Sequence, residues 1–348
     1  MAYSPVVLGI DFGGTKIATA VCDLAGNKLA SAVVDSLGEL GARASFDHGV
    51  QTARELLAQV ATDAGGVAPT LEAVGVATFG IPFEDRVELA PAIDGWDALP
   101  LGRELRAAFP GTHIRTATDA KAAAHAEARW GSLAGADPGV YLNLGTGLAA
   151  AVVTNGQVLQ GSSGAAGEIG YFLRQRSDVG LPAGQRMLLE DMVSGQGLRR
   201  RASTAEVELT AADVFAASGS AGNIKLEALV EDFVNELAFH VVNIAILVNP
   251  ARIAVGGGMT RSWDRIGPTL AQALRAAVPY PPELVLAHFP QEAPLLGAVA
   301  LAVDAISNNI ATIAQSNGHY SANPTNNAPT RPPGNLPAGV PEATSHSG

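Results

Sequence analysis

The sequence predicts an α/β protein in which one strand–turn–strand unit occurs twice. In the first copy, the apolar residues 6–10 indicate a buried strand, which ends in Asp11-Phe12-Gly13-Gly14-Thr15-Lys16. In the second copy, residues 139–144 form a similar run and lead to Gly145-Thr146-Gly147. Each copy continues into another strand and a hairpin turn, the second of them at Asn155-Gly156. The repeated order indicates an internal duplication of a nucleotide-binding unit.

The rest of the chain alternates between strand and helix patterns. Strands are predicted at residues 71–78, 112–117 and 252–255, and helices at 48–64, 103–109, 120–130, 224–248, 262–278 and 294–306. From about residue 315 the composition shifts to Asn, Pro, Ser, Thr and Gly, so we expect residues 315–348 to be disordered. A length of 348 residues fits two lobes better than one domain.

Composition and charge limit the classes of function. Hydrophobic residues make up 47% of the chain and the mean hydropathy is +0.20, which permits a large core. The formal net charge of −11 argues against nucleic acid as a partner. No secretory signal is apparent and the apolar stretches are too short to span a bilayer, so we expect a cytoplasmic protein without membrane contact. The single cysteine, Cys22, is expected to be a small core residue.

Residues 11–16 carry the groups that can bind a nucleotide triphosphate with its metal ion. Gly13 and Gly14 allow backbone N–H groups to approach a phosphate, Thr15 adds a hydroxyl and Lys16 a positive charge. Asp11 could hold Mg²⁺ through its water shell. The segment is neither a Walker P-loop nor a dinucleotide-binding fingerprint. An ordinary hairpin turn is the alternative, because the following residues also form a strand pattern.

Five segments together resemble the ROK family of bacterial sugar kinases and related repressors, over residues 6 to about 306. They are residues 11–16, Thr118-Asp119-Ala120-Lys121-Ala122-Ala123, Leu144-Gly145-Thr146-Gly147, Gly164-Ala165-Ala166-Gly167-Glu168-Ile169-Gly170 and Gly256-Gly257-Gly258. The resemblance implies an actin-like ATPase fold, a duplicated ribonuclease H-like α/β fold with two lobes around an ATP cleft. The lobes would be residues 1–117 and 118–293, with a helix at about 294–308 packed back on the first.

The resemblance implies ATP and Mg²⁺ as cofactors. In this family the two glycine turns bind the ATP phosphates from the two lobes, and a later glycine run packs against adenosine. Besides residues 11–16, the implied nucleotide-binding residues are therefore Gly145, Thr146, Gly147, Gly256, Gly257 and Gly258. For the run at 256–258, a turn that leads into a helix is the alternative.

The resemblance also implies which residues act on the acceptor. Asp119 resembles the catalytic base, which takes the proton of the acceptor hydroxyl, although a helix N-cap is the alternative at this strand-to-helix junction. Glu168 resembles a sugar-binding glutamate in a Gly-Glu-x-Gly-His signature, and Glu190 lines up with a second one. A solvated helix residue is the alternative for Glu190. Thr118 and Tyr171 occupy two further acceptor-facing positions.

Three acceptor-facing positions differ from the family pattern. Tyr171 stands where the family has histidine, Thr118 replaces an asparagine beside the base, and Ala92 replaces another asparagine ahead of Trp96. A site that loses groups built to bind hydroxyls can lose much of its selectivity. These changes argue against glucose as the substrate, while the nucleotide-facing motifs remain whole.

The structural zinc site of the family is also missing from this sequence. Residues 172–190 contain none of the three cysteines of a Cys₃His site, and Tyr171 cannot replace the histidine ligand. We therefore expect no zinc and a loop held by packing, through Tyr171, Phe172 and Met187. The scattered histidines show no metal-ligand spacing. Arg199-Arg200-Arg201 indicates a solvated face or helix end, with phosphate recognition as the alternative.

The resulting hypothesis is an ATP-dependent kinase that phosphorylates a hydroxyl of a sugar or of a sugar-like C7 cyclitol. A conventional hexose kinase acting on glucose, fructose, mannose or an amino sugar is one alternative. A non-catalytic sugar-sensing regulator is another. Related repressors carry a helix-turn-helix before the first strand, which we do not expect here because that strand begins at residue 6. The resemblance further implies a homo-oligomer.

Overall fold

Two five-stranded sheets with matching strand order form the framework of the computed structural model, which describes residues 5–204, 207–218 and 223–318, with side chains up to residue 307. The strands are, in chain order, β1 (Val6–Phe12), β2 (Lys16–Asp23), β3 (Lys28–Asp35), β4 (Leu71–Thr78), β5 (Ile81–Pro82), β6 (Val87–Glu88), β7 (His113–Thr118), β8 (Gly139–Leu144), β9 (Leu148–Thr154), β10 (Gln157–Val158), β11 (Arg252–Gly256) and β12 (Glu283–Leu286).

The α-helices in the described part of the chain lie mostly where the sequence predicts them. They are α1 (Ala42–Asp63), α2 (Leu101–Ala108), α3 (Asp119–Trp130), α4 (Leu189–Met192), α5 (Gly195–Ala202), α6 (Ala211–Ser218), α7 (Ile224–Val248), α8 (Trp263–Ala277) and α9 (Ala293–Gly318). Short 3₁₀-helices lie at Gly38–Leu40, Ile169–Tyr171, Arg176–Asp178, Ala183–Gln185 and Gly258–Ser262. The short helices α4 to α6 were not predicted, because each is too short to show a clear helical period.

The order of strands confirms the duplication. The first sheet has the order β3-β2-β1-β4-β7, and the second has the order β10-β9-β8-β11-β12. In both, a three-stranded antiparallel meander is extended by two parallel strands. Each sheet therefore has three parallel strands whose carboxyl ends meet at one edge.

The first sheet is covered on both faces. Helix α1 packs on one face, where Phe12, Phe46 and Trp96 are buried with their rings in contact. Helix α9 packs on the other face against Val7, Ala73 and other small residues. Cys22 is buried in this second cluster as a free thiol, which confirms it as a small core residue.

Helix α9 lies very close to the sheet because glycines remove the side chains between them. A Cβ on Gly75 would lie 1.8 Å from the carbonyl oxygen of Ala298, and one on Gly297 would lie 1.8 Å from that of Ala122. The first contact brings α9 against β4, and the second brings it against α3. Helix α3, which begins at Asp119, is thereby fixed against the same helix that covers the first sheet.

The last helix is longer than predicted. Helix α9 continues to Gly318, past the expected end at about residue 308 and four residues into the segment predicted to be disordered. It can continue because residues 310–315 contain no glycine or proline to end it. The remainder of that segment, residues 319–348, lies outside the described residues. The lobe boundaries at residues 117 and 293 stay predictions.

Candidate active site

Asp11 and Asp119 lie at the same edge of the first sheet. Strands β1, β4 and β7 run parallel, with Phe12 opposite Thr78 and Thr78 opposite Thr118. Asp11 therefore lies one residue before the end of its strand, at the edge where Thr118 leads into α3. The antiparallel return of β2 adds the Gly13-Gly14-Thr15 turn to this edge.

The second sheet presents its own glycine turns in the same way. Asn143 on β8 lies opposite Gly256 on β11, so the turn at residues 145–147 and the run at 257–258 leave the sheet side by side. Gly257 has a positive φ of 90°, and a Cβ there would lie 2.5 Å from the carbonyl oxygen of Leu144. Only glycine permits this close approach of the two turns.

A cavity of about 620 Å³ lies where these edges face each other. From the first sheet it is lined by the turn that follows β1, and from the second by the turn that follows β8. Its lining comprises Asp11, Phe12, Gly13, Gly14, Thr15, Lys16, Phe79, Gly80, Leu89, Pro91, Ala92, Asp119, Asn143, Thr146, Gly147, Leu148, Ala149, Glu168, Tyr171, Glu190, Gln291 and Pro294. Most of the residues singled out in the sequence therefore meet in one place.

The first glycine turn is a hairpin turn, as one interpretation of its sequence predicts, and it also lines the cavity. It closes the β1–β2 hairpin, with the N–H of Gly13 donating to the carbonyl of Lys16 at 2.9 Å. A Cβ on Gly13 would lie 2.8 Å from that carbonyl oxygen. The same turn lines the cavity, and Thr15 and Lys16 are exposed there.

Two smaller cavities adjoin the main one on the side of the second sheet. One, of about 300 Å³, is lined by residues that include Asp119, Gly145, Gly257 and Gly258. The other, of about 380 Å³, extends from Gly145 and Gly258 toward the apolar side chains of Phe215 and Met259 and the guanidinium groups of Arg199 and Arg261. Gly256 is the last residue of β11, and it is absent from the linings of these three cavities. Gly258 begins a 3₁₀-helix, as the turn-into-helix interpretation predicts.

Asp119 is not the N-cap of α3. Thr118 takes that role, and its hydroxyl oxygen accepts a bond from the N–H of Lys121 at 3.3 Å. Thr118 is buried and is not among the residues that line the main cavity, so the structure does not bring this predicted acceptor residue to the site. Asp119 is left facing the cavity, with one carboxylate oxygen accepting from the N–H of Ala120 at 2.7 Å.

The carboxyl groups of the site have perturbed pKa values. Burial, with the neighbouring Asp119 carboxylate, raises the pKa of Asp11 to about 7. The pKa of Asp119 is also raised, mainly by burial and further by the Glu190 carboxylate. The hydrogen bond from Ala120 and the Lys121 ammonium act in the opposite direction and lower it. Perturbed carboxyl groups that share a cleft are typical of functional sites.

Glu190 faces the cavity rather than bulk solvent alone. Its Oε2 accepts a hydrogen bond from the backbone N–H of Leu148 at 2.8 Å. A Cβ on Gly147 would lie 2.6 Å from the same oxygen, so the glycine turn leaves the space that this carboxylate occupies. Burial raises the pKa of Glu168, while Lys121 lowers it. Glu168, Tyr171 and Glu190 thus form one wall of the cavity.

The loop that follows Tyr171 is held mainly by polar contacts, so the expectation of packing was wrong for two of its three residues. Tyr171 is 37% exposed and Met187 is 54% exposed, whereas Phe172 packs partly buried against the core. The Arg186 guanidinium donates to the carbonyls of Tyr171 at 2.6 Å and Phe172 at 3.1 Å. Arg174 pairs with Glu236 at 2.7 Å. Bonds from arginine side chains therefore hold this loop where packing was expected.

Further polar contacts organise the same loop. The Asp178 carboxylate accepts from the backbone N–H groups of Arg174 at 3.0 Å and Gln175 at 3.3 Å. These bonds hold the pKa of Asp178 below its usual value, as does the bond from the Gln175 side chain. Among the described residues, no group of three or more His, Cys, Asp or Glu side chains is arranged to hold a metal ion.

The arginine run forms the end of a helix with partners. Arg199, Arg200 and Arg201 form the last turn of α5 and pair with Glu208, Asp191 and Asp232 respectively. This agrees with the interpretation as a helix end, while Arg199 also lines the 380 Å³ cavity. No helix in the described part of the chain combines the length and apolar character needed to cross a membrane.

Three polar residues of the site were not predicted from the sequence. Asn143 and Gln291 line the main cavity, and Lys121 lies buried behind its wall. Asn143 had a detectable signal, because it is a polar residue near the end of an apolar strand that precedes a glycine turn. Nothing in the sequence indicates that Lys121 is buried, since a lysine on an alanine-rich helix normally faces solvent.

Comparison with known proteins gives the family of the chain. The sequence profile of the ROK family matches residues 7–305. The chain belongs to the ROK family. A similar relative is the kanosamine kinase of Amycolatopsis mediterranei (strain S699), which is 30% identical over 270 residues, or 77% of this chain and 85% of that protein.

Solved structures of ROK proteins share the fold of this chain. The ROK hexokinase from Thermus thermophilus is 28% identical and matches with a TM-score of 0.72 over 87% of this chain and 99% of its own. A ROK glucokinase from Streptomyces griseus, solved with glucose and AMPPNP, is 24% identical and matches with a TM-score of 0.66 over 86% and 99%. This ROK protein has the actin-like ATPase fold.

Proposed function

We propose that this ROK protein is an ATP-dependent kinase that transfers the γ-phosphoryl group to a hydroxyl of a sugar or sugar-like polyol. The proposal rests on one observation, that Asp119 and residues of both glycine turns line the same cavity. Phosphoryl transfer needs little covalent chemistry from the protein, because positioning and charge stabilisation supply most of the rate. A carboxylate base between two phosphate-binding turns fits that requirement.

Asp119 is proposed as the general base. The acceptor oxygen attacks the γ-phosphorus, the bond to the β-phosphate oxygen breaks to release ADP, and the acceptor proton passes to the Asp119 carboxylate. The carboxylate must be ionised to accept it. Burial works against ionisation, while the N–H of Ala120 and the Lys121 ammonium favour it. Such a base contributes about 10²–10⁴-fold to the rate.

Asp11 fits a role beside Mg²⁺. It faces the cavity next to another carboxylate, and burial raises its pKa to about 7, so a cation is the natural counter-charge there. Mg²⁺ takes oxygen ligands and usually keeps several waters and the substrate phosphates, which suits a single carboxylate. When bound, the ion neutralises charge on the transferred phosphoryl group. Lys16 and the N–H groups of the turn would bind the phosphates.

The nucleotide is proposed to lie across Gly145, Thr146 and Gly258. The 380 Å³ cavity continues from this point toward Phe215, whose apolar surface suits a purine base. The binding of AMPPNP by the Streptomyces griseus glucokinase supports ATP as the phosphoryl donor.

For the acceptor we propose a C7 cyclitol rather than glucose. Ala92 contributes only a methyl group to the cavity, and Thr118 turns its hydroxyl to the α3 backbone. Tyr171 is the hydroxyl-bearing side chain on the wall formed with Glu168 and Glu190. Two hydrogen-bonding amides of the family pattern are therefore replaced by groups that offer the acceptor no hydrogen bond. Such a pocket suits a pseudosugar that lacks the ring oxygen.

An amino sugar is the second candidate, and the charge of the cavity favours it. Asp119, Glu168 and Glu190 surround the acceptor side with carboxylates, which attract an ammonium group. The Amycolatopsis relative, named as a kanosamine kinase, supports the same class. Homo-oligomer formation and cytoplasmic location stay predictions.

The test is ATP turnover by the purified protein with Mg²⁺, measured against glucose, mannose, free amino sugars, N-acetylated amino sugars and C7 cyclitols, with Asp119→Asn alongside. Turnover only with cyclitols supports the first candidate, and preference for free amines over their N-acetyl forms supports the second. Turnover with glucose would show that the argument from Ala92, Thr118 and Tyr171 is wrong. AMPPNP binding without turnover of any acceptor would favour a non-catalytic regulator.

A further inference from the structure

A lysine ammonium is buried behind the proposed base. Lys121 lies two residues after Asp119 on α3, and its side chain is only 1% exposed. Lysine is almost never this buried unless its charge is paired, because removal of an ammonium from water is costly. The position of this charge therefore requires partners in the protein, and those partners indicate its role.

Both partners belong to one loop. The Nζ atom of Lys121 donates to the carbonyl of Gly164 at 2.7 Å and lies 3.9 Å from Oε1 of Glu168. Gly164 and Glu168 are in residues 159–168, here named the acceptor loop, which connects β10 with the 3₁₀-helix Ile169–Tyr171. One ammonium group thus joins the helix of the proposed base to the loop of the proposed acceptor ligand.

The acceptor loop is otherwise fixed near its ends. The N–H of Leu159 donates to Val152 at 2.8 Å, and the carbonyl of Gly167 accepts from Ala150 at the same distance. Both bonds attach the loop to β9. The bond from Lys121 reaches the middle of the loop, where Gly164 has a positive φ of 73°. It therefore sets the distance between the loop and α3, which the bonds to β9 do not.

We propose that Lys121 is a positioning residue that holds Glu168 at a fixed place relative to Asp119. This inference rests on the proposed function, since Glu168 would orient the acceptor whose hydroxyl Asp119 deprotonates. A misplacement of about 1 Å between a bound substrate and a catalytic group can lower a rate about 10²-fold. Groups that orient a site must themselves be held by bonds of this kind.

The charges around Lys121 agree with this role. Asp119 and Glu168 face it, and Asp11 and Glu190 face Asp119 in turn, so the ammonium lies beside a cluster of carboxylates. Burial lowers the pKa of Lys121, whereas Glu168 and Asp119 raise it. A neutral side chain of the same length would remove both the hydrogen-bond donor and the counter-charge.

The first test is hydrogen exchange in the acceptor loop, which does not depend on activity. In Lys121→Met we expect the amides of Ala166 and Glu168 to exchange about ten-fold faster than in the wild type, because loss of the anchor permits local opening. Lys28→Met is the matched control, since Lys28 also pairs with a carboxylate, Glu292 at 2.8 Å, outside the cavity lining. Unchanged exchange in Lys121→Met would overturn the proposal.

The second test separates positioning from general damage. With an acceptor that the wild type phosphorylates, Lys121→Met should lower kcat/KM for the acceptor about 10²-fold while the affinity for AMPPNP changes little. Lys121→Arg, which keeps a charged donor, should recover part of the loss. Equal losses toward acceptor and nucleotide would contradict the proposal. If Lys121→Met does not fold, Lys121→Arg and Lys121→Gln allow the same comparison of charged and neutral donors.

The two proposals can fail separately. A wild-type protein that binds AMPPNP and phosphorylates no acceptor would contradict the proposed function, while the exchange rates would still decide whether Lys121 anchors the loop. Normal exchange in Lys121→Met with an active wild type would contradict the role of Lys121 alone.

Discussion

The two copies of the repeated unit have the same strand order and end differently. Both place a polar residue two positions before a glycine turn, Asp11 before Gly13 and Asn143 before Gly145. The first copy then completes a meander with the eight-residue strand β3, whereas β10 in the second has two residues. After β10 the chain leaves the sheet for the acceptor loop. The first copy keeps a regular sheet beside the carboxylate proposed to act with Mg²⁺, and the second has, in place of a longer strand, the loop proposed to bind the acceptor.

The difference between Asp11 and Asn143 follows from charge. A second carboxylate at position 143 would join Asp11, Asp119, Glu168 and Glu190 around the same cavity. In the proposed function, ATP would bring further negative charge, and one Mg²⁺ would not compensate every carboxylate. An amide keeps hydrogen-bonding capacity at this position without adding charge. Substitutions that interchange or remove these polar side chains test whether the two copies have different functions.

The largest effect is expected at the base. Asp119→Asn should lower kcat by about 10²–10⁴-fold, because the amide cannot accept the acceptor proton. The affinity for AMPPNP should change less than about three-fold, since the phosphate-binding turns remain. Steady-state kinetics and calorimetric titration measure the two quantities, and Asp85→Asn on the surface is the control. A mutant that loses nucleotide affinity and keeps kcat would show that Asp119 belongs with the phosphate-binding groups.

The next largest effect is expected when the first copy is made to resemble the second. Asp11→Asn should reduce kcat/KM for Mg–ATP by about 10²-fold through loss of the charge that holds the ion.

The same substitution should stabilise the folded protein at alkaline pH when Mg²⁺ is absent. The folded pKa of Asp11 is raised to about 7 from an ordinary value near 3.8, so the folded state binds the proton more tightly than the unfolded state. Its contribution to stability is present at low pH and is lost as the pH rises to about 7.

Thermal unfolding in EDTA at several pH values measures this contribution. The gain of Asp11→Asn over the wild type should be less than about 1 kcal/mol at pH 4 and about 4 kcal/mol at pH 8, because each pKa unit between 3.8 and about 7 is worth about 1.4 kcal/mol. Asp47→Asn, on the exposed surface of α1, should differ from the wild type by less than about 0.5 kcal/mol at either pH. A gain that is equal at pH 4 and pH 8 would show that Asp11 is not a strained carboxylate.

The reciprocal change should have a smaller effect. Asn143→Asp makes the second copy resemble the first, and it should weaken Mg–ATP binding about ten-fold through repulsion between like charges. High salt should reduce the difference. Unchanged affinity would mean that Asn143 lies too far from the phosphates to matter, and the comparison of the two copies would then rest on Asp11 alone.

The smallest effect is expected at the turn that accommodates Glu190. In Gly147→Ala the new methyl group would lie 2.6 Å from Oε2 of Glu190, so the carboxylate must move. We expect the acceptor KM to rise about five-fold with little change in kcat, because binding is affected more than proton transfer. Gly184→Ala, where no atom lies within 4 Å of the new Cβ, is the control. An effect on ATP alone would assign this turn to the nucleotide only.

Much of the fold could be predicted because its signals are local. Apolar runs, hairpin turns and alanine-rich helices located the long helices and the strands of both sheets except β12, which has only four residues. Asp11-Phe12-Gly13-Gly14-Thr15-Lys16 identified the first turn. The loop after Tyr171 could not be predicted in this way. It depends on Arg186, which donates to two backbone carbonyls, and on Arg174, which pairs with a residue on α7. A surface arginine looks the same in sequence whether it faces solvent or holds a loop.

The sequence by itself determined the repeated unit and the glycine turns, because each depends on the local conformational needs of the backbone. Asp119 was singled out by the family resemblance and not by a local signal. Only the tertiary structure decided that Glu190 lies over Gly147 and that Lys121 is buried against Gly164. These contacts join segments that are as much as 43 residues apart. Hydrogen bonds and buried charges depend on the distance in space between groups, which residue type and spacing along the chain do not specify.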